Sequence, residues 1–262
     1  MMKSMIAENG LTFKELERKI YSWICQIGRD FTKEFLERYD RMLMEERVLV
    51  EEHKKGHIHG KKEVPVLFEE ADGVYVKLQG KDRKEAKQKK AEIKIGLAYD
   101  GWKRTGNDRC QLSDKVVVAG FAGAKEFHEY REAAIAEKYN LDEVSQRILN
   151  ADGASWIKQV KDKSTCFQLD PFHRNKAVKE KIHNRKAVRD IMELLEAERI
   201  EEVFEYLEIY KNSLGDDAEI EDAEELIRYY ENNREGLRPY QSQGLELPEH
   251  PEGLEYRNMG RF

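Results

Sequence analysis

The sequence predicts a mixed α/β fold, a sheet of antiparallel and parallel strands with flanking helices. Three observations lead there. A long amphipathic stretch opens the chain. Alternating apolar segments follow between residues 64 and 120. Helical and strand-like segments then take turns before a strongly acidic, helical last quarter. The 262 residues are 40% hydrophobic, with 12 Tyr, 10 Phe and 3 Trp, enough for at least one core in one large or two modest domains.

Residues 11–47 read as helix. Leu16, Ile20, Trp23, Ile24, Ile27, Phe31, Phe35, Tyr39 and Met42 form an apolar stripe, and Thr12 with Glu15 suits a capping box. The stretch 48–63 breaks the pattern. Its HKKGHIHGKK (53–62) reads as a linker or exposed loop, and its histidines are able to take up a metal adventitiously. Three strands are expected next, in 64–80, 91–102 and 115–123. They are joined by polar connections that include the basic run KDRKEAKQKK (81–90), which suggests an antiparallel meander. Residues 125–149 read as helix, 148–160 as an apolar run and a helix, and 165–182 as strand, turn and helix. From 186 to 232 two acidic helical stripes are expected, separated by Gly215-Asp216-Asp217, and the tail from Leu237 reads as an irregular strap. The expected division is a helical segment (1–50), a linker (51–63), a core (64–186) and an acidic helical insertion with tail (187–262). A ribonuclease H-like fold has this order of elements, and many unrelated α/β folds share parts of it.

The mean hydropathy is −0.81, and no run approaches the roughly 20 apolar residues of a membrane helix. No apolar segment marks a secretory signal in Met1–Gly10. Cys25, Cys110 and Cys166 are odd in number and far apart, so a reducing cytoplasm is the expected location. These features exclude a membrane protein, a secreted mini-domain, a zinc finger and a collagen-like fibre. The net charge of −6 conceals an asymmetry. Residues 187–262 hold 8 basic and 21 acidic residues, a net of −13, and the rest of the chain has a net of +7. Such a split fits either a nucleic-acid surface beside a different module or solvated helical faces of opposite sign.

Three aspartates stand out by context. Asp72 interrupts an apolar segment in EEADGVYV, where an acid is costly unless it is exposed or bound, and Asp72-Gly73 also suits a hairpin turn. Asp152 follows Ile148-Leu149 where a strand gives way to a helix. That end of a strand faces the ligand crevice in open α/β sheets, and an N-cap reads equally well. Asp170 begins D-P-F-H, with Pro171 fit for the first helical position and His173 on the first turn. Carboxylates converging from different strands can hold two Mg2+ or Mn2+ ions, which activate a nucleophile and stabilise the leaving oxygen of a phosphodiester. The flanks suit an anionic substrate. Lys158–Arg189 carries 10 basic and 3 acidic residues, with Lys158, Lys161, Arg174 and Lys176 as candidate phosphate contacts, and Lys77–Lys90 carries 7 and 2. The sequence has no GxGxxG, P-loop, GxSxG or HExxH.

The stretches VPVLFEEADGVYVKLQGKDRK (64–84), EIKIGLAYDGW (92–102), ADGASWIK (151–158) and FQLDPFHRNKAV (167–178) carry a resemblance, joined by ENGLTFKELE (8–17) and LEYRNMG (254–260). They resemble the ISLre-type transposases of bacterial insertion sequences, also catalogued as an uncharacterised transposase-like protein family and similar to Mutator-like transposases. The resemblance implies a ribonuclease H-like core with a DDE metal site binding Mg2+ or Mn2+, and the ends of an insertion sequence as DNA partner. Carried over by motif, Asp72 is the first carboxylate, Asp152 the second, and Asp170-x-x-His173 the signature before the final Glu.

The chain departs from that pattern in two places. Met44-Glu-Glu-Arg47 runs straight into the lysine- and histidine-rich linker, where such transposases carry a longer, helix-turn-helix-like part. The chain stops at Phe262, where the final Glu is expected shortly after Met259-Gly260, and Glu255 precedes that position. The resulting expectation is a degenerate or inactive remnant with two of three acids. Two alternatives stay open. One is a non-catalytic protein that dimerises or binds an intact transposase. The other is a residual metal-dependent nuclease with Glu70 as third acid.

Overall fold

A computed structural model describes residues 33–78, 83–84, 89–106, 109–158 and 165–260, apart from the side chains of 33–40 and Lys158. The expected capping box at Thr12 and Glu15 lies outside the described residues, as do Cys25 and Lys161. Two compact units emerge. The first runs to Ser145 and includes Glu249–Glu255; the second holds Gln146–Pro248 and the tail from Tyr256. The chain is mixed α/β, with antiparallel strands in the first unit and a parallel pair in the second.

The first described element of the first unit is helix α1 (Lys33–Lys54), which continues into residues expected to form a linker. Strands β1 (Val66–Lys77), β2 (Lys90–Tyr99) and β5 (Val116–Gly120) make the predicted meander, in the order β5-β2-β1. A short hairpin, β3 (Trp102–Arg104) with β4 (Cys110–Leu112), interrupts it where the sequence reads as connection. Helix α2 (Ala124–Lys138) follows. It ends earlier than predicted, because Asn140 caps a 3-10 turn at Leu141–Glu143 and the chain then becomes extended.

Asp72-Gly73 is not a turn. Asp72 pairs with Ile95 and Gly73 with Lys94, so β1 passes straight through the dipeptide and keeps its register with β2 to Lys77. Strand alternation therefore puts Asp72 on the face of Val74, Val76, Ile93 and Ile95, which pack together with Ala119. On the opposite face Leu67 and Ala98 pack with Val64 and with Ile135 and Tyr139 at the end of α2. Each such large apolar side chain contributes about 1.5–3 kcal/mol when fully buried. That face also holds a buried ion pair, Arg131 of α2 with Glu69 of β1 at 3.0 Å.

The second charged cluster in this unit ties the strap down. Asp100, wholly buried after β2, receives Lys62 Nζ at 2.9 Å and contacts His250 Nε2 at 3.3 Å. Lys62 also reaches Asp114 at 2.5 Å and Glu252 at 2.8 Å. Burial alone would lower the Lys62 pKa; the bonds to Asp114, Glu252 and Asp100 outweigh it and hold the ammonium above its usual value. The backbone lets Lys62 in at Gly60, where a Cβ would fall 2.3 Å from the backbone of Lys138 and Tyr139.

The second unit begins with β6 (Gln146–Ala151), followed by a single helical turn α3 (Ser155–Lys158) and strand β7 (Thr165–Leu169). The helices α4 (Pro171–Lys181), α5 (Arg185–Glu196), α6 (Ile200–Asn212) and α7 (Asp217–Asn232) complete it. Ile148, read as part of a helical stripe, is a buried residue of β6. The acidic region holds three helices instead of two, because the chain reverses at Ala197–Arg199 with Glu198 at φ 57°. Nothing in Ala-Glu-Arg signals that break, since it holds neither Gly nor Pro. Among the described residues no helix is long and apolar enough to cross a membrane.

Replacing Lys62 with Met strands the buried Asp100 carboxylate without its main cation. Loss of one partner from a buried pair costs about 3–5 kcal/mol. A urea titration should show that loss as a lower midpoint at an unchanged slope, and an unchanged midpoint would refute the role given to Lys62.

Candidate metal centre

The site in the second unit follows from how two parallel strands end. Ala151 pairs with Leu169, so β6 and β7 release their chains side by side at the same edge. The next residues are Asp152 and Asp170. In parallel sheets that carboxyl edge is where ligands bind.

Asp170 is the N-cap of α4, with Pro171 at the first helical position, as the sequence suggests. Its Oδ2 accepts from the backbone N–H of His173 at 3.2 Å and meets His173 Nδ1 at 3.1 Å. Its Oδ1 accepts from Asn150 Nδ2 at 3.0 Å. Burial, the largest influence, pushes the carboxyl pKa up. The hydrogen bonds from His173 and Asn150 more than reverse that, and the carboxyl stays below its usual range.

Behind Asp170 stands a line of buried amides. Tyr240 N–H donates to Gln168 Oε1 at 2.9 Å, and Gln168 Nε2 donates to Asn150 Oδ1 at 2.9 Å. Gly260, at φ 72°, presses on the same carboxylate, and a Cβ there would lie 2.5 Å from Asp170 Oδ1. The tail motif is thus packed against D-P-F-H.

Asp152 forms an Asx turn, its Oδ1 accepting from Ala154 N–H at 2.8 Å. Gly153 follows at φ 81°, where a Cβ would come within 2.3 Å of Asn233 Oδ1, so the Asp-Gly pair is fixed by contact with the end of α7. Tyr229 donates its hydroxyl to the Asp152 carbonyl at 2.8 Å. Burial, then the nearby Asp152 and Asp170 charges, raise the Tyr229 pKa and keep it a donor.

Asp152 and His173 each offer a ligand atom, and the two lie within 4.8 Å of one another. Both line an open cleft of about 320 Å³ with Lys176, Glu180, Lys181, Glu225 and Tyr229. A carboxylate oxygen and an imidazole nitrogen suit a divalent cation such as Mn2+. The donor set fits in a second respect, because a ligating histidine is commonly held at its other nitrogen by a carboxylate, as Asp170 holds His173.

The other candidates fall as follows. Asp72, half-buried in β1 of the first unit, takes the N–H of Gly73 on its Oδ1 at 2.7 Å. Glu70, in the same strand, accepts from the Tyr99 hydroxyl at 2.8 Å. Arg174 is buried, and its guanidinium donates to the Leu237 carbonyl at 3.0 Å, which holds the strap to α4. Lys176 is half-exposed beside Glu180. Lys158 closes α3, and Lys161 lies outside the described residues.

A family model described as an uncharacterised protein family, UPF0236, matches residues 48–256. The chain belongs to that family. Two proteins of Caldanaerobacter subterraneus subsp. tengcongensis, both named as UPF0236 proteins, are each 30% identical to it over 207 residues. The matches cover 74% of this chain but 41% and 39% of the two relatives, so the chain spans less than half of their length. No solved structure matches it.

In this UPF0236 chain the sequence reading missed Asn150, Gln168 and Tyr229. The first two carried a usable signal, since each is a lone amide inside an apolar strand segment, ILNA and CFQL. A buried amide needs partners, and here the partners lead to Asp170.

Asp170 has a depressed folded-state pKa, so its contribution is complete above the unfolded value of about 3.9 and is lost as pH falls through the folded value. Asp170→Ala should cost roughly 2–3 kcal/mol at pH 7, from the lost cap and the charged hydrogen bonds. Its stability should also fall less steeply than wild type below pH about 4. Equal acid limbs in the two proteins would contradict this.

Proposed function

We propose that this chain carries the metal-dependent, phosphodiester-cleaving part of a transposase-like protein of ribonuclease H-like fold, acting on DNA. The observation that carries the reading is the pair Asp152 and His173, with ligand atoms within 4.8 Å of each other at the carboxyl ends of parallel strands and His173 held by Asp170. The motif resemblance over 64–84, 92–102, 151–158 and 167–178 supports it. By that resemblance Asp72 is the first acid and Asp152 the second. The basic stretch around α4, with Lys176 on the cleft, supports an anionic substrate.

The bound Mg2+ or Mn2+ would polarise the phosphodiester and lower the pKa of a nucleophilic water or hydroxyl. Asp152 and His173 would hold it, and Asp170 would keep the imidazole in place through its contact with Nδ1. The whole length of the family's longer proteins would supply what else the reaction requires.

Thermal unfolding with and without Mn2+ tests the site without relying on activity. A cation at about 100 times its Kd stabilises by about 2.7 kcal/mol, or roughly 5–10 °C for a chain of this size. Asp152→Asn should abolish most of that rise. Melting indifferent to Mn2+ would overturn the metal reading and leave the field to a non-catalytic interaction protein.

A further inference from the structure

Phe172 is 63% exposed, on the first turn of α4, between the helix cap and His173. Single exposed apolar residues are ordinary. This one has particular company. Its ring lies 5.3 Å from the His173 imidazole, edge to face at 86°, and that imidazole lines the cleft. One helical turn on, at the i+4 position on the same side of α4, stands the half-exposed Lys176, which also lines the cleft.

A flat apolar surface, an imidazole and an ammonium thus follow one another along the first turns of α4 beside the cleft. A ligand that satisfies all of them has a flat uncharged part joined to an anionic part. The cleft itself sets Asp152, Glu180, Lys181 and Glu225 beside Ala177, Leu226 and Tyr229. A nucleotide matches on both counts. Its base covers the ring, and its phosphate faces the lysine. Any base suffices, since each has a π-face. In a duplex the faces are occupied by neighbouring bases, so the base must be unpaired.

We propose that Phe172 is a stacking platform for an unpaired nucleobase of single-stranded DNA, with Lys176 contacting the adjoining phosphate. The inference rests on the reading of the cleft as a DNA site and adds to it the state of the strand beside the metal ligands.

The test uses the full chain and a labelled single-stranded oligothymidylate of about 12 nucleotides, within the roughly 4–16 that such grooves span. Binding is measured by anisotropy in EDTA, because stacking needs no metal. Phe172→Ala should weaken binding about ten-fold or more with an unchanged melting temperature, the ring being exposed. Phe172→Trp should retain affinity, and its added emission should be quenched on binding. Lys176→Gln should reduce the salt dependence by about 0.7 of a unit in slope. Equal affinity of wild type and Phe172→Ala, unquenched emission from the Phe172→Trp variant, or no binding by wild type would each overturn the proposal. A Mn2+ effect on melting without any Phe172 effect sinks this inference alone. Phe172-dependent binding without a Mn2+ effect sinks the metal reading and leaves the platform standing.

Discussion

One carboxylate holds together the edge of the second unit where β6 and β7 end. Asp170 follows β7, caps α4 through the His173 N–H and meets the His173 ring with the same oxygen. Helix start and imidazole orientation are therefore one constraint. Pro171 tightens it, since its ring presets the first helical residue and removes an N–H that would need a partner. From this point Arg174 binds the Leu237 carbonyl and Tyr230 binds the Arg174 carbonyl at 2.9 Å, so the strap and α7 are referred to the same helix.

The first unit solves a different problem with the same physics. Its strap segment, Glu249–Glu255, has few apolar residues to bury. It is held instead by Lys62, placed among Asp100, Asp114 and Glu252, with His250 buried against Asp100. Lys138 shares Asp114 at 2.9 Å, so it is above all the buried Asp100 that would be left without a cation if Lys62 moved. Trp102 and Glu255 add two backbone hydrogen bonds, of 3.0 and 3.2 Å.

What the sequence disclosed was local. The meander of β1, β2 and β5 follows from alternation, and the Asp170-Pro171 helix start follows from capping chemistry, both of which act within a few residues. Asp-Gly at 72–73 shows the limit. The same dipeptide makes a turn or sits in a strand according to whether the partner strand continues beside it, as β2 does here. The break at Ala197–Arg199 was illegible because tertiary packing, not Gly or Pro, bends the chain there. At the site, Asn150 and Gln168 stand out in the sequence as lone amides in apolar segments, but their partners do not. Asn150 and Gln168 acquire meaning only when β6 and β7 lie side by side.

That line of amides has a direction. Its first member is the backbone N–H of Tyr240, a group able only to donate. Gln168 must then present its oxygen to Tyr240 and its NH2 to Asn150, and Asn150 must present its NH2 to Asp170. Neither amide can flip without breaking the line at both ends. The two oxygens of Asp170 are consequently inequivalent. Oδ1 takes the side-chain NH2 of Asn150, and Oδ2 takes both the backbone N–H and the ring of His173. A peptide bond in the strap thus decides, three groups away, that Asn150 turns its NH2 and not its oxygen toward the carboxylate holding His173.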